Sequence, residues 1–171
     1  MSLVIENGSL VAGANSFVSV AEARAYAEAR ASTFPANDTP GNAKVEAALI
    51  VATDYLETFG ADYKGRKVSP GVQALQWPRI GAVVDGYEIP VDVIPQELKN
   101  AQCQLCVEIA NGLDVMPTGN GREVIRKKVD VLETEYAPGA GGAPQPILAR
   151  VRALLSPLLS GGFGRLKVTR A

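Results

Sequence analysis

Apolar residues spaced three and four positions apart predict helices in several parts of the chain. Ser19 and Glu22 have the spacing of a capping box, so a first helix is expected to begin there and run to Ala31. A second helix follows Asn42, which is suited to cap it, and ends at Gly60, because glycine commonly terminates helices. Its predicted buried face consists of Val45, Ala48, Leu49, Ala52, Tyr55, Leu56 and Phe59.

The second half of the chain combines two further helices with a β element. A third helix is expected from Pro95, since proline is tolerated in a first turn, to about Gly112. The residues of 124–136 alternate and are rich in β-branched side chains, which indicates strands. A fourth helix begins near Pro146, and Pro157 should kink or end it.

The segment 61–95 breaks the helical pattern with several glycines and prolines. We expect a long ordered loop with one helical turn near 73–77. Loops of this length inside a compact domain are usually functional or form an interface. The tripeptide Trp77, Pro78 and Arg79 is its most specific local feature, and a lone tryptophan in such a loop usually fills a core.

These elements predict a mainly α (α+β) fold, a small bundle of about four helices with a short β-hairpin or strand element. Residues 1–18 are polar and rich in Gly, Ser and Asn, which favours an extended N-terminal arm. The helical domain then covers 19–159, with the β element near 122–137. Residues 160–171 have too few apolar groups to fold alone and are expected to form an extended C-terminal tail.

The composition argues against an enzyme. The chain has no histidine, which removes the commonest general base and the commonest zinc ligand. Cys103 and Cys106 form a lone CxxC within a predicted helix, without the second ligand pair that zinc needs, so ordinary packing is expected. The glycine-rich stretches lack the lysine and hydroxyl of a phosphate-binding loop. We therefore predict no catalytic, metal or cofactor site and no cofactor.

Charge is distributed unevenly along the chain. Residues 1–121 hold 8 Lys or Arg and 14 Asp or Glu, whereas residues 122–171 hold 9 and 4. Such a polarised subunit is suited to head-to-tail stacking, or to presenting its basic end to nucleic acid, although a basic end is also often only solvated. The candidate DNA-facing residues are Arg122, Arg126, Lys127 and Lys128. Beyond residue 121 the aromatic residues are Tyr136 and Phe163, few for a base-stacking platform.

Several stretches, in order along nearly the whole chain, resemble one phage family. They are Gly13-Ala14-Asn15-Ser16-Phe17-Val18-Ser19 with Glu22-Ala23 and Tyr26, Ala47-Ala48-Leu49-Ile50-Val51-Ala52-Thr53-Asp54-Tyr55-Leu56, Tyr63-Lys64-Gly65-Arg66, Gln73-Ala74-Leu75-Gln76-Trp77-Pro78-Arg79, Ile89-Pro90, Ile94-Pro95 and Leu154-Leu155-Ser156-Pro157-Leu158-Leu159. The pattern is similar to that of phage head–tail connector (adaptor) proteins, whose members are often labelled DnaT-like single-stranded-DNA-binding proteins.

This resemblance implies a structural virion protein at the head–tail junction, made in the host cytoplasm. It implies a ring of twelve copies that contacts the portal protein and the next connector, stopper or tail protein. DNA would pass non-specifically through the central channel, and no membrane is involved. The tail residues expected at a portal or neighbour interface are Arg165, Leu166, Lys167, Val168, Thr169 and Arg170. The alternative function is that of a DnaT-like single-stranded-DNA-binding protein acting in phage or host replication.

Overall fold

A computed structural model describes residues 2–116, 124–128, 133–136 and 148–161. The chain divides into two compact units, one formed by Met1–Leu113 with Leu148–Ala171 and the other by 114–147. The described elements, in chain order, are α1 (Val20–Glu28), α2 (Thr39–Glu57), β1 (Arg66–Lys67), β2 (Arg79–Ile80), β3 (Val83–Val84), β4 (Tyr87–Glu88), α3 (Gln96–Ala110), β5 (Val124–Lys128), β6 (Glu133–Tyr136), α4 (Ala149–Leu155) and a 3-10 turn (Ser156–Leu158). The predicted mainly α (α+β) class with a short strand element is confirmed.

Side-chain caps fix where the first two helices begin. The predicted capping box of α1 is present: Glu22 N donates to Ser19 Oγ at 3.2 Å and Ser19 N to Glu22 Oε2 at 2.7 Å. Helix α2 begins earlier than predicted because Asp38, and not Asn42, caps it by accepting a bond from Gly41 N at 2.7 Å. The expected cap at Asn42 was therefore wrong.

Helices α2 and α3 form the centre of the first unit. The predicted inner face of α2 is buried from Val45 to Leu56, whereas Phe59 at its end is only half-buried. Helix α3 follows Pro95 and is buried along most of its length, because α1, α2 and α4 all pack against it. Helix α4 ends at Leu155, and Pro157 lies in the following 3-10 turn, as expected for a proline that cannot continue a helix.

A fully buried amide connects the N-terminal segment to α2 and α3. Gln102 Oε1 accepts a hydrogen bond from Phe17 N at 3.0 Å. The two hydrogens of its Nε2 are shared among three acceptors, Ser16 Oγ at 2.8 Å, Thr53 Oγ1 at 2.8 Å and Leu49 O at 3.1 Å. Because a buried amide without partners is costly, this arrangement fixes the relative positions of the three segments.

Residues 2–18, for which the sequence predicts an extended arm, double back on themselves. Ile5 and Ser16 form a parallel bridge. The buried Glu6 carboxylate organises the turn between them by accepting bonds from the backbone nitrogens of Gly8, Leu10 and Val11 at 2.8, 3.1 and 2.8 Å. Phe17 and Val18 then enter the core, both 1% exposed, so burial of the segment's end holds the loop in place.

The segment 61–95 is ordered by short strands rather than by the predicted helical turn. Strand β1 pairs with β2, and β3 pairs with β4 through the turn at Asp85 and Gly86, whose positive φ angles of 50° and 86° suit a tight hairpin. Residues 73–77 are not helical, because Gln73 Nε2 instead donates to Leu75 O at 2.8 Å and Pro78 O at 2.9 Å.

The second unit contains the predicted β element. Strands β5 and β6 pair antiparallel, with a register irregularity between Val124 and Arg126. The sequence prediction of strands within 122–137 is therefore confirmed where that range is described. Among the described residues, no helix is long and apolar enough to cross a membrane.

Candidate nucleic-acid interface

The most specific sequence motif turns out to be structural. Trp77 is completely buried and meets Tyr63 edge-on, with ring centroids 5.9 Å apart, and its peptide bond to Pro78 is cis. The Arg79 side chain is 6% exposed and donates to the carbonyls of Lys64 and Gly65, both at 2.8 Å. Trp77, Pro78 and Arg79 thus stabilise the segment 61–95 from inside and do not offer a binding surface.

A basic and aromatic cluster occupies a different place, where α1, α3 and α4 meet. The guanidinium carbon of Arg30 lies 3.5 Å from the centroid of the Tyr26 ring, and both Arg30 and Arg150 are exposed. Tyr26 Oη donates to Gln104 Oε1 at 3.3 Å, and Arg150 Nη1 donates to the same oxygen at 3.5 Å. We call Tyr26, Arg30, Gln104 and Arg150 the tyrosine–arginine cluster.

The end of α1 places Arg30 over the tyrosine. The helix stops at Glu28, short of the predicted end at Ala31, because Ala31 adopts a left-handed backbone with φ of 48°. Ser32 N then donates to Ala27 O at 3.0 Å and closes the turn. Arg30 consequently folds back along the helix, where its Nη1 donates to Tyr26 O at 3.2 Å.

The electrostatics of the tyrosine–arginine cluster suit an anionic, planar ligand. Burial raises the pKa of the Tyr26 phenol, and the nearby Arg30 and Arg150 oppose that shift, so the ring stays neutral at physiological pH. Glu108 is an acidic residue next to the cluster and accepts a hydrogen bond from Gln104 Nε2 at 2.8 Å. A guanidinium stacked on a ring leaves its outer face open to a nucleobase, while its N–H groups are suited to phosphate.

Sequence reasoning missed this cluster because its members are far apart in the chain. Basic residues concentrate beyond residue 121, whereas Tyr26 and Arg30 lie in the more acidic first part of the chain. The available signal was the i, i+4 spacing of Tyr26 and Arg30 in the first predicted helix. Arg150 joins them only through the packing of α4 on α3.

The predicted DNA-facing residues lie in or next to the second unit. Arg126, Lys127 and Lys128 are in β5, where the register sets Arg126 opposite Glu135 and Lys128 opposite Glu133. Lys127 is paired with Thr134 in the same register. Arg122 and the predicted interface residues of the tail, Arg165, Leu166, Lys167, Val168, Thr169 and Arg170, lie outside the described residues.

The cysteine pair is part of the core. Cys103 and Cys106 are free thiols, 2% and 0% exposed, and burial raises the pKa of each to about 12. Ordinary packing, as predicted, is confirmed, because such thiols are mostly protonated and poorly nucleophilic. Within the described parts of the chain, no group of three or more potential ligands is positioned to hold a metal ion.

A family model described as "Putative DnaT-like ssDNA binding protein" matches residues 1–171. No curated protein matches the chain, and no solved structure matches it. The match confirms the DnaT-like label within the predicted resemblance, whereas the head–tail connector assignment stays a prediction.

Proposed function

Because the chain belongs to the DnaT-like single-stranded-DNA-binding family, we propose that it binds single-stranded DNA through the tyrosine–arginine cluster. The observation that carries this proposal is that the Arg30 guanidinium lies 3.5 Å from the centroid of the Tyr26 ring. A second exposed arginine, Arg150, donates to the Gln104 oxygen that also accepts a bond from Tyr26. A base stacks on the open face of this pair, and Arg30 and Arg150 neutralise the flanking phosphates.

The test measures the affinity of the full chain for a thymidine oligonucleotide, by fluorescence anisotropy, over a series of salt concentrations. Arg30→Gln and Arg150→Gln should each flatten the salt dependence by about 0.7 in the log–log slope, the value for one lost phosphate contact on a single strand. Tyr26→Leu should weaken binding by about 1–3 kcal/mol, because it removes the ring that holds the Arg30 guanidinium in place for stacking, whereas Tyr26→Phe keeps that ring and should retain most of the affinity.

Matched controls separate this site from general basicity. Lys44→Gln and Arg66→Gln remove exposed positive charges elsewhere in the first unit and should leave the slope unchanged. Equal affinities and slopes for Arg30→Gln, Arg150→Gln and the parent protein would rule out the cluster as the binding site.

A second candidate function is the head–tail connector, and it is favoured by a different surface. Large apolar side chains are exposed in the segment 61–95, and six of them fall between residues 72 and 93. They are Val72 at 83%, Ile80 at 37%, Val83 at 43%, Tyr87 at 81%, Val91 at 43% and Val93 at 42%. Exposed apolar side chains concentrated in this way are typical of protein–protein contacts, as a ring subunit needs.

In this second proposal, twelve copies form a ring on the portal protein, contact the next connector, stopper or tail protein, and surround the DNA at the head–tail junction of the virion. Native mass spectrometry of the protein alone and mixed with portal tests it. Addition of a twelve-copy layer to the portal would establish the connector. A protein that does not bind portal but binds a single-stranded oligonucleotide would contradict the connector proposal and support the first one, single-stranded-DNA binding.

A further inference from the structure

The β3–β4 hairpin and the chain that follows it form an acidic surface with exposed apolar groups. Residues 80–98 contain Asp85, Glu88, Asp92 and Glu97 and have no lysine or arginine. A groove of about 300 Å³ runs along this surface, lined by Tyr87 and by other residues of this stretch up to Glu97. Its walls are largely apolar, so a matching ligand needs both apolar and positively charged side chains.

The outer edges of the β3–β4 hairpin are a second feature that is relevant to peptide binding. Within the described residues, β3 and β4 pair only with each other, so the outer edge of each is not paired with another described strand. An extended peptide that joins such an edge satisfies its backbone bonds there and places alternate side chains into neighbouring pockets.

The chain itself contains a segment with the required chemistry. Residues 162–171 carry Arg165, Lys167 and Arg170 and no acid, and Leu166 and Val168 alternate with these cations. In an extended conformation this alternation places apolar side chains on one face and basic ones on the other. The segment therefore complements the groove in charge and in apolar pattern.

The segment starts close enough to reach the groove. The 3-10 turn Ser156–Leu158 lies within 8 Å of β3, measured between Cα atoms. Ser160 N donates to Asp62 O at 2.7 Å, which fixes the chain just before the segment begins. From Ser156, the first residue of the 3-10 turn, to Gly161 the chain spans at most about 17 Å. The ten residues 162–171 span about 33 Å when extended, so they are long enough to reach the groove from Gly161.

We propose that the acidic groove beside β4 binds the basic C-terminal segment 162–171 of the same chain, joined to the hairpin as a further strand. The short connection raises the effective concentration of the segment at the groove, which favours its own chain over a second copy. Docking also covers apolar surface on Tyr87, which is 81% exposed in the described residues.

Disulfide trapping in the full chain tests this proposal without DNA or portal. Tyr87→Cys combined with Val168→Cys should form an intrachain disulfide in a glutathione buffer, identified by peptide mass mapping. The natural Cys103 and Cys106 are buried and should not compete. A control pair, Lys44→Cys with Val168→Cys, places the partner on exposed α2, about 20 Å along the helix from its C-terminal end.

We expect the Tyr87 pair to link at least about tenfold faster than the control pair, because docking raises the local concentration. Neutralising the groove with Asp85→Asn, Asp92→Asn and Glu97→Gln should reduce that advantage by about fivefold. The same change of charge elsewhere, made with Glu28→Gln, Glu46→Gln and Asp54→Asn, should not reduce it. Equal rates for the two pairs, a mainly interchain product, or an advantage unaffected by groove neutralisation would each overturn the proposal.

Discussion

Gln102 offers the sharpest test of how the first unit is held together. Its side chain contacts four polar partners inside the core, in the N-terminal segment and in α2: Oε1 accepts from one, and the two hydrogens of Nε2 are shared among the other three. Replacement by leucine preserves most of the volume and removes every one of these bonds. The expected loss in the free energy of unfolding depends on which of the former partners are left without a hydrogen bond.

Three of the four partners, Ser16 Oγ, Thr53 Oγ1 and Leu49 O, keep other bonds after the substitution. Ser16 Oγ still donates to Val18 O at 2.7 Å, and Thr53 Oγ1 still donates to Leu49 O at 2.9 Å. Phe17 N, by contrast, loses Gln102 Oε1 as its acceptor in a buried place. An unsatisfied buried N–H costs about 1–3 kcal/mol, so we expect the free energy of unfolding to fall by about 2 kcal/mol.

Urea denaturation followed by circular dichroism measures this change. A loss of about 2 kcal/mol should lower the urea midpoint by about 1 M for a domain of this size. Gln96→Leu, on the exposed side of the same helix, is the matched control and should change stability by less than about 0.5 kcal/mol. A Gln102→Leu protein as stable as the control would refute the inference that this amide fixes the three segments.

Three further predictions concern other buried groups. Arg79→Met should lower the free energy of unfolding by about 2–3 kcal/mol, since two carbonyls lose 2.8 Å bonds, whereas the exposed Arg66→Met should be nearly neutral in the same urea assay. A thiol reagent at pH 8 should modify Cys103 and Cys106 in the native protein far more slowly than in urea, because burial raises the pKa of both to about 12; equal rates would contradict this. Burial raises the pKa of Glu57, so stability is favoured below the unfolded pKa of this carboxyl and lost as pH rises through its folded pKa. Glu57→Gln should therefore stabilise the protein more at pH 7 than at pH 4, and an equal effect at both would exclude this cause.

The sequence predicted the elements that depend on local signals. The capping box at Ser19 and Glu22, the inner face of α2 and the end of α4 before Pro157 each rest on residues within one or two turns of one another. Local hydrogen bonds and local steric limits decide such features, so a single sequence is enough to locate them.

Features that depend on distant partners were wrong or absent. The predicted helical turn at 73–77 is absent, and Trp77 instead packs on Tyr63, a contact that helix propensity does not describe. The doubling back of residues 2–18 depends on Glu6 and on the bond from Phe17 to Gln102, which is 85 residues away. Periodicity carries no information about such long-range pairs.

The two proposed functions use different surfaces of the same unit, and this makes them separable. The tyrosine–arginine cluster lies where α1, α3 and α4 meet, whereas the exposed apolar residues belong to the segment 61–95. Arg30→Gln with Arg150→Gln should lower the log–log salt slope of DNA binding by about 1.4, twice the value for one lost phosphate contact, and leave any assembly on portal intact. Tyr87→Ser should have the opposite effect, because it removes apolar contact area without changing charge. A protein in which both variants impair the same activity would require the two surfaces to act together, which neither proposal alone explains.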